Sequence, residues 1–573
     1  MSSNDRSLDQ FCAGLETPLE AFYGFEKSRA NETCFVQPYP DQRIVEYSWA
    51  EAGDQIRRMA AYLRSLDLPQ GSNIALMSAN CAYWIMADVA IWMAGHRSVP
   101  LYPVLASKTI KQILEHSECK VMFVGKLLGW DEMAKGVPED TRLISFPLSP
   151  ESVKASSDKW EDILRGTQPL SDNLVFPAED IGTIIYTSGT TGMPKGVMHS
   201  FRNMSVVGTL AGEIYDITSE DRKISYLPLA HVAERVSIEI NQLFYGYTVY
   251  FSESLETFAD DLRRASPTIF FAVPRIWTKF QQRVLENIGD EQLQSMLANP
   301  EQAPAIRRKL LTSLGLQDLR IGVSGAAPLS TSLIDWFKRL GVEILEGYAM
   351  SENFAYSHTT RSGMAKTGYV GTPSPYVECK LGDDGEILIK SPTNMVGYFK
   401  EPELTAQAFD EHGFLRTGDR GEVDQKNRLR ITGRTKELFK TSKGKYVAPA
   451  PIEDMLARNL SLELVCVTGA NLPQPIALAN LSEPALLDMQ SDGRDAVVKS
   501  LNETLVSINQ ILDKHENVSH IVITGEQWTV ENGLITPTLK VKRAELEARY
   551  SNMFESWQSE KSRIVFDSTS SAR

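Results

Sequence analysis

The stretch YTSGTTGMPKGVMHS, residues 186–200, combines small polar residues with a single lysine, and six of the seven residues after Tyr186 are Thr, Ser or Gly. Glycine lets a backbone approach a ligand closely and adopt positive φ, while successive amides and hydroxyls converge on an anion. The preceding run DIGTIIYT (180–187) predicts a buried β-strand, and the glycines open a loop at its end. Phosphates commonly bind at such strand ends. The stretch therefore predicts a phosphate-binding loop.

Two other interpretations of this loop are weaker. A Walker P-loop requires G-x-x-x-x-G-K-[ST] with its lysine opening a helix, whereas here Pro194 precedes Lys195 and Gly196 follows it. A flexible turn rich in Ser, Thr and Gly would need neither the lysine nor the strand before it. We expect a phosphate loop of a different kind.

Length and charge limit the class of protein. A chain of 573 residues suggests two or more domains. The formal net charge of −14 argues against general binding to nucleic acid or anionic membranes, so an anionic substrate must meet local basic groups. The six cysteines are scattered without a CxxC pair, which indicates neither a disulfide framework nor a zinc site and fits a reducing cytoplasm.

Neither a signal peptide nor a membrane-spanning segment is expected. The first residues, MSSNDRSLDQFCAGLE, are polar and acidic where a signal peptide requires an apolar core. The most apolar helical candidate, residues 82–95, is too short to cross a bilayer and carries Asp88 in its middle. We interpret it as a buried helix.

The pattern along the chain predicts an α/β fold. From about residue 45 to 440, short β-branched runs such as NIALMS, VMFVG and LRIGVSG alternate with longer amphipathic stretches, which is typical of layered, largely parallel sheets. Hairpin signals between 376 and 433 indicate a β-rich subdomain. We place a large N-terminal domain at 1–435 and a small α+β domain at 436–573, with the boundary near Lys436.

Further segments occur in a characteristic order along the chain: LPLAHVAER (227–235), VPRIW (273–277), GVSGAAPLS (322–330), EGYAMSE (346–352), RTGD (416–419), GRTKELFK (433–440) and PTLKVKR (537–543). Together with the opening stretch, they make the chain resemble the adenylate-forming superfamily of acyl-CoA synthetases, adenylation domains and luciferases over nearly its whole length. The first two segments and the last are most similar to long-chain fatty acyl-CoA synthetases.

The resemblance implies a phosphate and metal site. Hydroxyls, amides and a mobile ammonium would neutralise the β and γ phosphates of ATP as pyrophosphate departs. The residues implied are Thr187, Ser188, Gly189, Thr190, Thr191, Gly192 and Lys195. Glu352 corresponds to the family's Mg²⁺ ligand, with Thr187 as its companion, because Mg²⁺ prefers hard oxygen ligands.

The resemblance also implies a nucleoside and acyl site. Tyr348, within the segment that includes Gly347 and Ser351, would stack on adenine. Asp419 would accept both ribose hydroxyls, with Arg434 beside it. The segment bordering adenine and the acyl pocket comprises Gly325, Ala326 and Ala327. This chain has Ala349 where the family usually has Gly, and Ser351 where it usually has Thr.

The resemblance also implies roles for His231, Lys540 and Lys436. His231 is placed near the carboxylate and the adenylate, although a histidine read alone is more often a structural one. Some long-chain members close their tunnel with tryptophan four residues later, where this chain has Arg235. Lys540 would bridge the carboxylate and the α-phosphate, and the small domain would then rotate about a hinge at Lys436.

The sequence therefore predicts a ligase that uses ATP, Mg²⁺ and coenzyme A to convert a medium- to long-chain fatty acid to acyl-CoA through acyl-AMP. It is expected to be cytoplasmic, soluble or in peripheral contact with membranes. The alternatives are an acyl-AMP ligase that loads a carrier protein, a luciferase-like monooxygenase, and an inactive nucleotide-binding module. Lys195, Glu352, Asp419 and Lys540 argue against the last of these, because a binder needs no transition-state groups.

Overall fold

The computed structural model describes residues 7–187, 193–325, 327, 329–490, 493–536 and 539–567, and of Lys436 the backbone alone. The chain divides into two compact units, the first formed by Met1–Cys379 with Ile389–Leu415 and the second by Lys380–Leu388 with Arg416–Arg573.

The secondary structure alternates between strands and helices through most of the chain. The strands are β1 Thr33–Pro38, β2 Ile44–Ser48, β3 Asn73–Met77, β4 Arg97–Leu101, β5 Val121–Val124, β6 Arg142–Ser145, β7 Asp158–Lys159, β8 Ile181–Thr187, β9 Lys195–Ser200, β10 Arg222–Ser225, β11 Thr248–Phe251, β12 Ile269–Phe271, β13 Ile321–Ser324, β14 Ile344–Tyr348, β15 His358–Thr359, β16 Thr372–Pro373, β17 Glu378–Leu381, β18 Glu386–Lys390, β19 Gly397–Tyr398, β20 Leu415–Val423, β21 Leu429–Arg434, β22 Phe439–Lys440, β23 Tyr446–Val447, β24 Leu462–Thr468, β25 Ile476–Leu481, β26 Ile521–Ile523 and β27 Ile564–Phe566. The helices are α1 Leu8–Cys12, α2 Pro18–Ser28, α3 Trp49–Arg64, α4 Ala82–Met93, α5 Ser107–Ser117, α6 Trp130–Met133, α7 Glu151–Lys154, α8 Trp160–Gly166, α9 Phe201–Tyr215, α10 Val232–Glu234, α11 Asn241–Tyr245, α12 Phe258–Ala265, α13 Pro274–Ile288, α14 Asp290–Leu297, α15 Ala303–Leu314, α16 Thr331–Arg339, α17 Pro402–Ala408, α18 Pro449–Leu456, α19 Glu483–Met489, α20 Arg494–Ile511, α21 Arg543–Tyr550 and α22 Phe554–Gln558. A π-helical turn, Arg235–Ile240, joins α10 to α11, and 3₁₀ turns span Ala134–Gly136, Ser351–Asn353, Thr435–Glu437 and Ser551–Met553.

The largest sheet of the first unit, within the described residues, has eight strands in the order β19-β9-β8-β4-β3-β5-β6-β7. The strands from β8 to β7 are parallel, and β9 and β19 add antiparallel pairs at one edge. Strand β3 is buried along its whole length, as is typical of a parallel strand covered on both faces. Helix α4 is also buried throughout, including Asp88, which confirms the predicted buried helix.

Two further sheets complete the first unit. In one, β12, β13 and β14 are parallel and are followed by the antiparallel β15 and β16. The other has the order β10-β11-β1-β2. Helix α3 begins at a capping box, in which Ser48 and Glu51 satisfy each other's backbone N–H groups. The predicted α/β layering is confirmed.

The second unit is built on smaller sheets. Strands β20 and β21 form the predicted antiparallel hairpin, in a sheet ordered β17-β18-β20-β21. Strands β24 to β27 form another sheet, with a core that includes Leu501 and Leu505 of α20. Because β21 contacts α18, the hairpin groups with the later part of the chain. The predicted boundary near Lys436 therefore lies inside the second unit, and its role as a point of movement stays a prediction.

None of the described helices is both long and apolar enough to cross a bilayer.

Candidate active site

The two ends of the predicted phosphate loop are held face to face. Strands β8 and β9 pair antiparallel, and Thr187 is the direct partner of Lys195 in this ladder. Residues opposite each other in such a pair have Cβ atoms about 5 Å apart. The loop residues themselves, namely Ser188, Gly189, Thr190, Thr191 and Gly192, lie outside the described residues. Their roles stay predictions.

Lys195 and Glu352 meet around a tyrosine that sequence reasoning missed. The Lys195 ammonium lies 5.3 Å from the centroid of the Tyr398 ring. The Tyr398 hydroxyl donates a hydrogen bond of 3.0 Å to Glu352 Oε1. Strand β19 places the tyrosine there, because Tyr398 pairs with Val197 of β9. Burial and the Glu352 carboxylate raise the pKa of Tyr398, so the phenol keeps its proton and donates.

A neutral histidine, His199, holds the turn that carries Glu352. His199 Nε2 donates to the carbonyl of Ser351 at 2.7 Å, and its Nδ1 accepts from the Asn203 amide at 3.1 Å. Burial lowers the pKa of His199 to about 3, which keeps the ring in the form that both bonds require. Met395 N–H also donates to the Glu352 carbonyl at 2.7 Å. Hydrogen bonds to the carbonyl of Glu352 and to the carbonyl of the preceding Ser351 thus fix the backbone at Glu352.

The donor set fits a magnesium ion bound together with phosphate. No group of three or more His, Cys, Asp or Glu side chains able to hold a metal occurs in the described part of the chain. Mg²⁺ in nucleotide sites uses one or two protein oxygens and fills its octahedron with phosphate and water. The Glu352 carboxylate and the Thr187 hydroxyl would supply that number of oxygens. Thr187 pairs with Lys195, whose ammonium contacts the Tyr398 ring that bonds Glu352. Their role as metal ligands stays a prediction.

The predicted adenine segments come together at the ends of two parallel strands. Strands β13 and β14 are neighbours, and a Cβ added to Gly325 would lie 3.3 Å from the Gly347 carbonyl oxygen. Tyr348 is half-buried, with its ring centroid 6.2 Å from that of His358. Ala327 is exposed, and Ala326 lies outside the described residues. The glycine pair allows the close backbone approach, while stacking of Tyr348 on adenine stays a prediction.

A buried carboxyl group lies on the same strand. Glu346 Oε1 accepts from the Leu329 N–H at 3.3 Å, and burial raises the pKa of Glu346 to about 7. The bond ties β14 to the segment after Gly325. Sequence reasoning did not single out this residue, although a glutamate in an apolar strand is a usable signal.

His231 has a structural task in the fold. It precedes α10, and its Nδ1 accepts from the Ala233 N–H at 3.3 Å, capping that short helix. Its backbone N–H donates to the Pro228 carbonyl at 2.8 Å. The ring orientation is therefore set by the helix start, and its catalytic role stays a prediction.

The next residues form a buried polar cluster. Glu234 Oε1 accepts from Asn80, from the Ser225 hydroxyl and from the Tyr226 N–H, at 3.2, 3.0 and 2.9 Å. Burial raises the pKa of Glu234 to about 8 and lowers the pKa of the nearby Lys223 to about 7. Exclusion of water disfavours the charged form of both side chains, which brings both pKa values close to neutral pH.

Glu234→Gln should flatten part of the pH dependence of stability. A carboxyl whose folded pKa is raised stabilises the fold fully below its unfolded pKa near 4.5, and that contribution is lost as pH rises through about 8. Relative to the glutamine variant, the wild type should lose a few kcal/mol of unfolding free energy between pH 5.5 and 8.5, since one pKa unit is about 1.4 kcal/mol. Urea unfolding at both pH values measures this. Parallel profiles for the two proteins would contradict it.

In the second unit, the predicted ribose carboxylate pairs with the predicted arginine. Asp419 and Arg434 are direct partners in the β20–β21 ladder, and Arg434 Nε lies 2.9 Å from Asp419 Oδ1. The Asp419 side chain is 9% exposed and that of Arg434 55% exposed. Gly418 has φ +70°, a conformation that favours glycine, and its carbonyl accepts from Thr435 Oγ1 at 2.7 Å. The RTGD segment of β20 thus fixes the carboxylate beside the guanidinium.

Lys540 lies on an exposed loop that is anchored to the core of the second unit. Its carbonyl accepts from Thr536 N–H at 2.8 Å, and its N–H donates to Thr536 Oγ1 at 3.1 Å. Ile535 and Val541 pair across the loop, and Ile535 belongs to a buried cluster. Lys436 lies in a 3₁₀ turn directly after β21. The loop presents the lysine from a fixed base, while its part in adenylation and the hinge at Lys436 stay predictions.

In the first unit a lysine and a glutamate contact the same tyrosine beside the β8–β9 hairpin, and in the second unit an aspartate pairs with an arginine. Binding of an adenine nucleotide by these residues stays a prediction. The chain belongs to the AMP-binding enzyme family, whose profile matches residues 25–399. The AMP-binding enzyme C-terminal domain matches residues 437–561.

Curated relatives align over most of their length. The chain is 28% identical to the peroxisomal long chain acyl-CoA synthetase 6 of Arabidopsis thaliana, over 88% of this chain and 80% of that protein. It is 28% identical to long-chain-fatty-acid–CoA ligase 5 of Rattus norvegicus, over 97% and 90%. It is also 28% identical to long-chain-fatty-acid–CoA ligase FadD15 of Mycobacterium bovis, over 90% and 93%.

Solved structures share the fold. The A domain of carboxylic acid reductase from Segniliparus rugosus, in complex with AMP and a carboxylic acid, matches with a TM-score of 0.77 and 23% identity over 94% of each chain. The anthranilate CoA ligase AuaEII, in complex with anthranoyl-AMP, matches with a TM-score of 0.76 and 20% identity, over 97% of this chain and all of that one. These likenesses show that the chain shares the fold of these two proteins.

Proposed function

We propose that this enzyme activates medium- to long-chain fatty acids with ATP and transfers them to coenzyme A. The proposal rests on the cluster of Lys195, Tyr398 and Glu352 at the loop end of the β8–β9 hairpin. This cluster places a cation and a carboxylate where a polyphosphate and its metal would bind. The curated relatives named as long-chain ligases, which align over most of this chain, support the substrate class.

In the first half-reaction, an oxygen of the fatty acid carboxylate attacks the α-phosphorus of ATP. A phosphorus–oxygen bond forms to the acid, the bond to the β-phosphate oxygen breaks, and pyrophosphate leaves. This step needs no protein nucleophile, since such reactions depend on positioning and charge neutralisation. Lys195 neutralises the leaving phosphates, and Lys540 lowers the repulsion between carboxylate and α-phosphate.

Glu352 and Thr187 would hold Mg²⁺, which when bound stabilises negative charge on the phosphate oxygens. Tyr398 and His199 keep the Glu352 carboxylate and its turn in place for that task. Asp419 binds the ribose hydroxyls, with Arg434 orienting it. In the second half-reaction, the sulfur of coenzyme A attacks the acyl carbonyl and gives up its proton to water, the carbon–sulfur bond forms, and AMP leaves with the electrons of the acyl–oxygen bond.

A substrate panel tests this function. AMP release should be strongest with acids between C6 and C18, weak with acetate and benzoate, and dependent on added coenzyme A. Each buried methylene contributes about 0.8 kcal/mol, so activity should rise steeply with chain length until the pocket is full.

Thioester product measured by chromatography completes the assay. A preference for acetate or benzoate would overturn the lipid substrate. Acyl-AMP formation without transfer to coenzyme A would instead favour a carrier protein as acceptor, and absence of any pyrophosphate release would favour an inactive nucleotide-binding module.

We also propose a cytoplasmic location with peripheral contact to membranes, because the substrate partitions into bilayers. Cell fractionation tests this: release by a salt wash supports it, and extraction only by detergent contradicts it.

A further inference from the structure

Arg235, the first residue of the π-helical turn, is completely buried. Its Nη1 donates to Thr183 Oγ1 at 2.6 Å, and its Nη2 donates to Ser98 Oγ at 3.0 Å. It also forms ion pairs with Asp88 and, through Nε at 2.9 Å, with Glu239. Each of the three guanidinium nitrogens of Arg235 therefore has a hydrogen-bond or ion-pair partner.

Two aromatic rings complete the enclosure of this guanidinium. The Arg235 Cζ lies 5.6 Å from the ring centroids of both Trp84 and Trp92. A cation that lies near two indole rings and is bonded at all three nitrogens has little freedom to move. Arg235 is thus a fixed element of the core and not a moving gate.

The cluster is electrically balanced. Burial, together with the adjacent Asp88 carboxylate, raises the pKa of Glu239 well above its usual range. A protonated Glu239 can donate to Asp88, which accounts for Asp88 Oδ1 and Glu239 Oε1, two buried oxygens otherwise without a donor. One cation then faces one anion, and the cluster can stay in the dry interior.

Arg235 connects two segments of the candidate site. Its backbone N–H donates to the His231 carbonyl at 3.0 Å, so it belongs to the turn that begins at that histidine. Its side chain bonds Thr183, which lies on β8, the strand that ends at Thr187 and enters the phosphate loop. One residue therefore connects the His231 turn to the strand that leads into the phosphate loop.

The π-helical turn that begins at Arg235 is stabilised separately. The Ser237 carbonyl accepts from Lys223 Nζ at 3.0 Å and from the Tyr247 hydroxyl at 2.9 Å. The Tyr247 hydroxyl also lies 2.9 Å from the Ile238 carbonyl. These bonds hold a turn type that is rare in helices and frequent at functional sites.

We propose that Arg235 is a positioning residue for adenylation, which holds the His231 turn in register with the strand that enters the phosphate loop. The inference rests on the proposed function and on the predicted placement of His231 near the acid substrate and of the loop at the phosphates of ATP. Misalignment of these two segments separates the attacking carboxylate from the α-phosphorus, and such reactions are sensitive to errors of about 1 Å.

The test is a double-mutant cycle on the complete protein. The first variant carries Arg235→Met together with Asp88→Asn, so that no unpaired charge is left in the core. This double variant is made both in the wild-type background and in a His231→Ala background. Thr183→Val is a second, milder variant, which retains the arginine and removes its acceptor on β8. Thermal unfolding establishes that each variant folds, and ATP–pyrophosphate exchange gives kcat and KM for the first half-reaction.

We expect the double variant Arg235→Met with Asp88→Asn to lower kcat about 10- to 100-fold, with KM for ATP nearly unchanged. Thr183→Val should lower kcat less. In the His231→Ala background both effects should shrink to a few-fold, because the positioned group is gone. Equal losses in both backgrounds would reduce Arg235 to a structural role and overturn the inference, as would full activity of His231→Ala. Failure of the double variant to fold leaves Thr183→Val to decide by the same comparison. Acyl-CoA formation by the wild type tests the proposed function independently.

Discussion

Replacing Lys540 with alanine is expected to abolish acyl-AMP formation while leaving thioester formation from supplied acyl-AMP close to the wild-type rate. A cation that contacts both the carboxylate and the α-phosphate offsets their repulsion as the bond forms, and it has little to do once the adenylate exists. Loss of such a group costs on the order of 10³-fold in rate. Because the loop that carries Lys540 is anchored by Ile535 and Thr536, removal of an exposed side chain should not disturb the fold.

Pyrophosphate release and thioester formation from synthetic acyl-AMP are measured separately. Lys542→Ala is the matched control, because it removes the same charge two positions away, and it should retain most of both activities. Equal loss of both half-reactions in a folded Lys540→Ala protein would show that the lysine does not act in adenylation alone.

Glu352→Gln is expected to depress pyrophosphate release on the order of 10²- to 10³-fold and to raise the magnesium concentration required. Glutamine keeps the shape of the side chain, and its carbonyl oxygen can still accept from the Tyr398 hydroxyl. The variant therefore removes charge from the proposed metal ligand with little change in packing. Initial rates across a magnesium titration at saturating ATP measure both effects.

Two variants serve as comparisons for Glu352. Tyr398→Phe removes the 3.0 Å hydrogen bond and leaves the carboxylate, so its loss should be smaller. Glu403→Gln changes an exposed carboxylate on α17 and should have no effect. Undiminished pyrophosphate release by Glu352→Gln at low magnesium would rule out the assignment of this residue as a metal ligand.

The sequence was sufficient to predict the strand before the phosphate loop, because its β-branched run and the glycines after it are local signals. Pairing of Thr187 with Lys195 was not predicted, because it depends on a second strand, β9, that the sequence analysis did not identify. The Asp419–Arg434 pair was also accessible, since both residues belong to segments recognisable by their order along the chain.

Tyr398 and His199 were missed for physical reasons. Tyr398 reaches Glu352 only because a two-residue strand adds to the edge of the large sheet, and such long-range pairing leaves no periodic pattern in the sequence. His199 acts as a neutral donor from the core, where it resembles any buried histidine. Arg235 was noticed as a departure from relatives, yet its partners Asp88, Ser98 and Thr183 come from three distant segments that only the fold brings together.

The π-helical turn at Arg235–Ile240 has a consequence for residue matching between proteins. Such a turn arises from one additional residue in a helix, and each residue of an α-helix advances about 100° around the axis. Side chains of α11, which follows at Asn241, are therefore rotated by that angle relative to an uninterrupted helix that begins at the same histidine. An ungapped alignment with a relative that lacks the turn would assign buried positions to the wrong face of α11, and one gap within 235–240 restores the match.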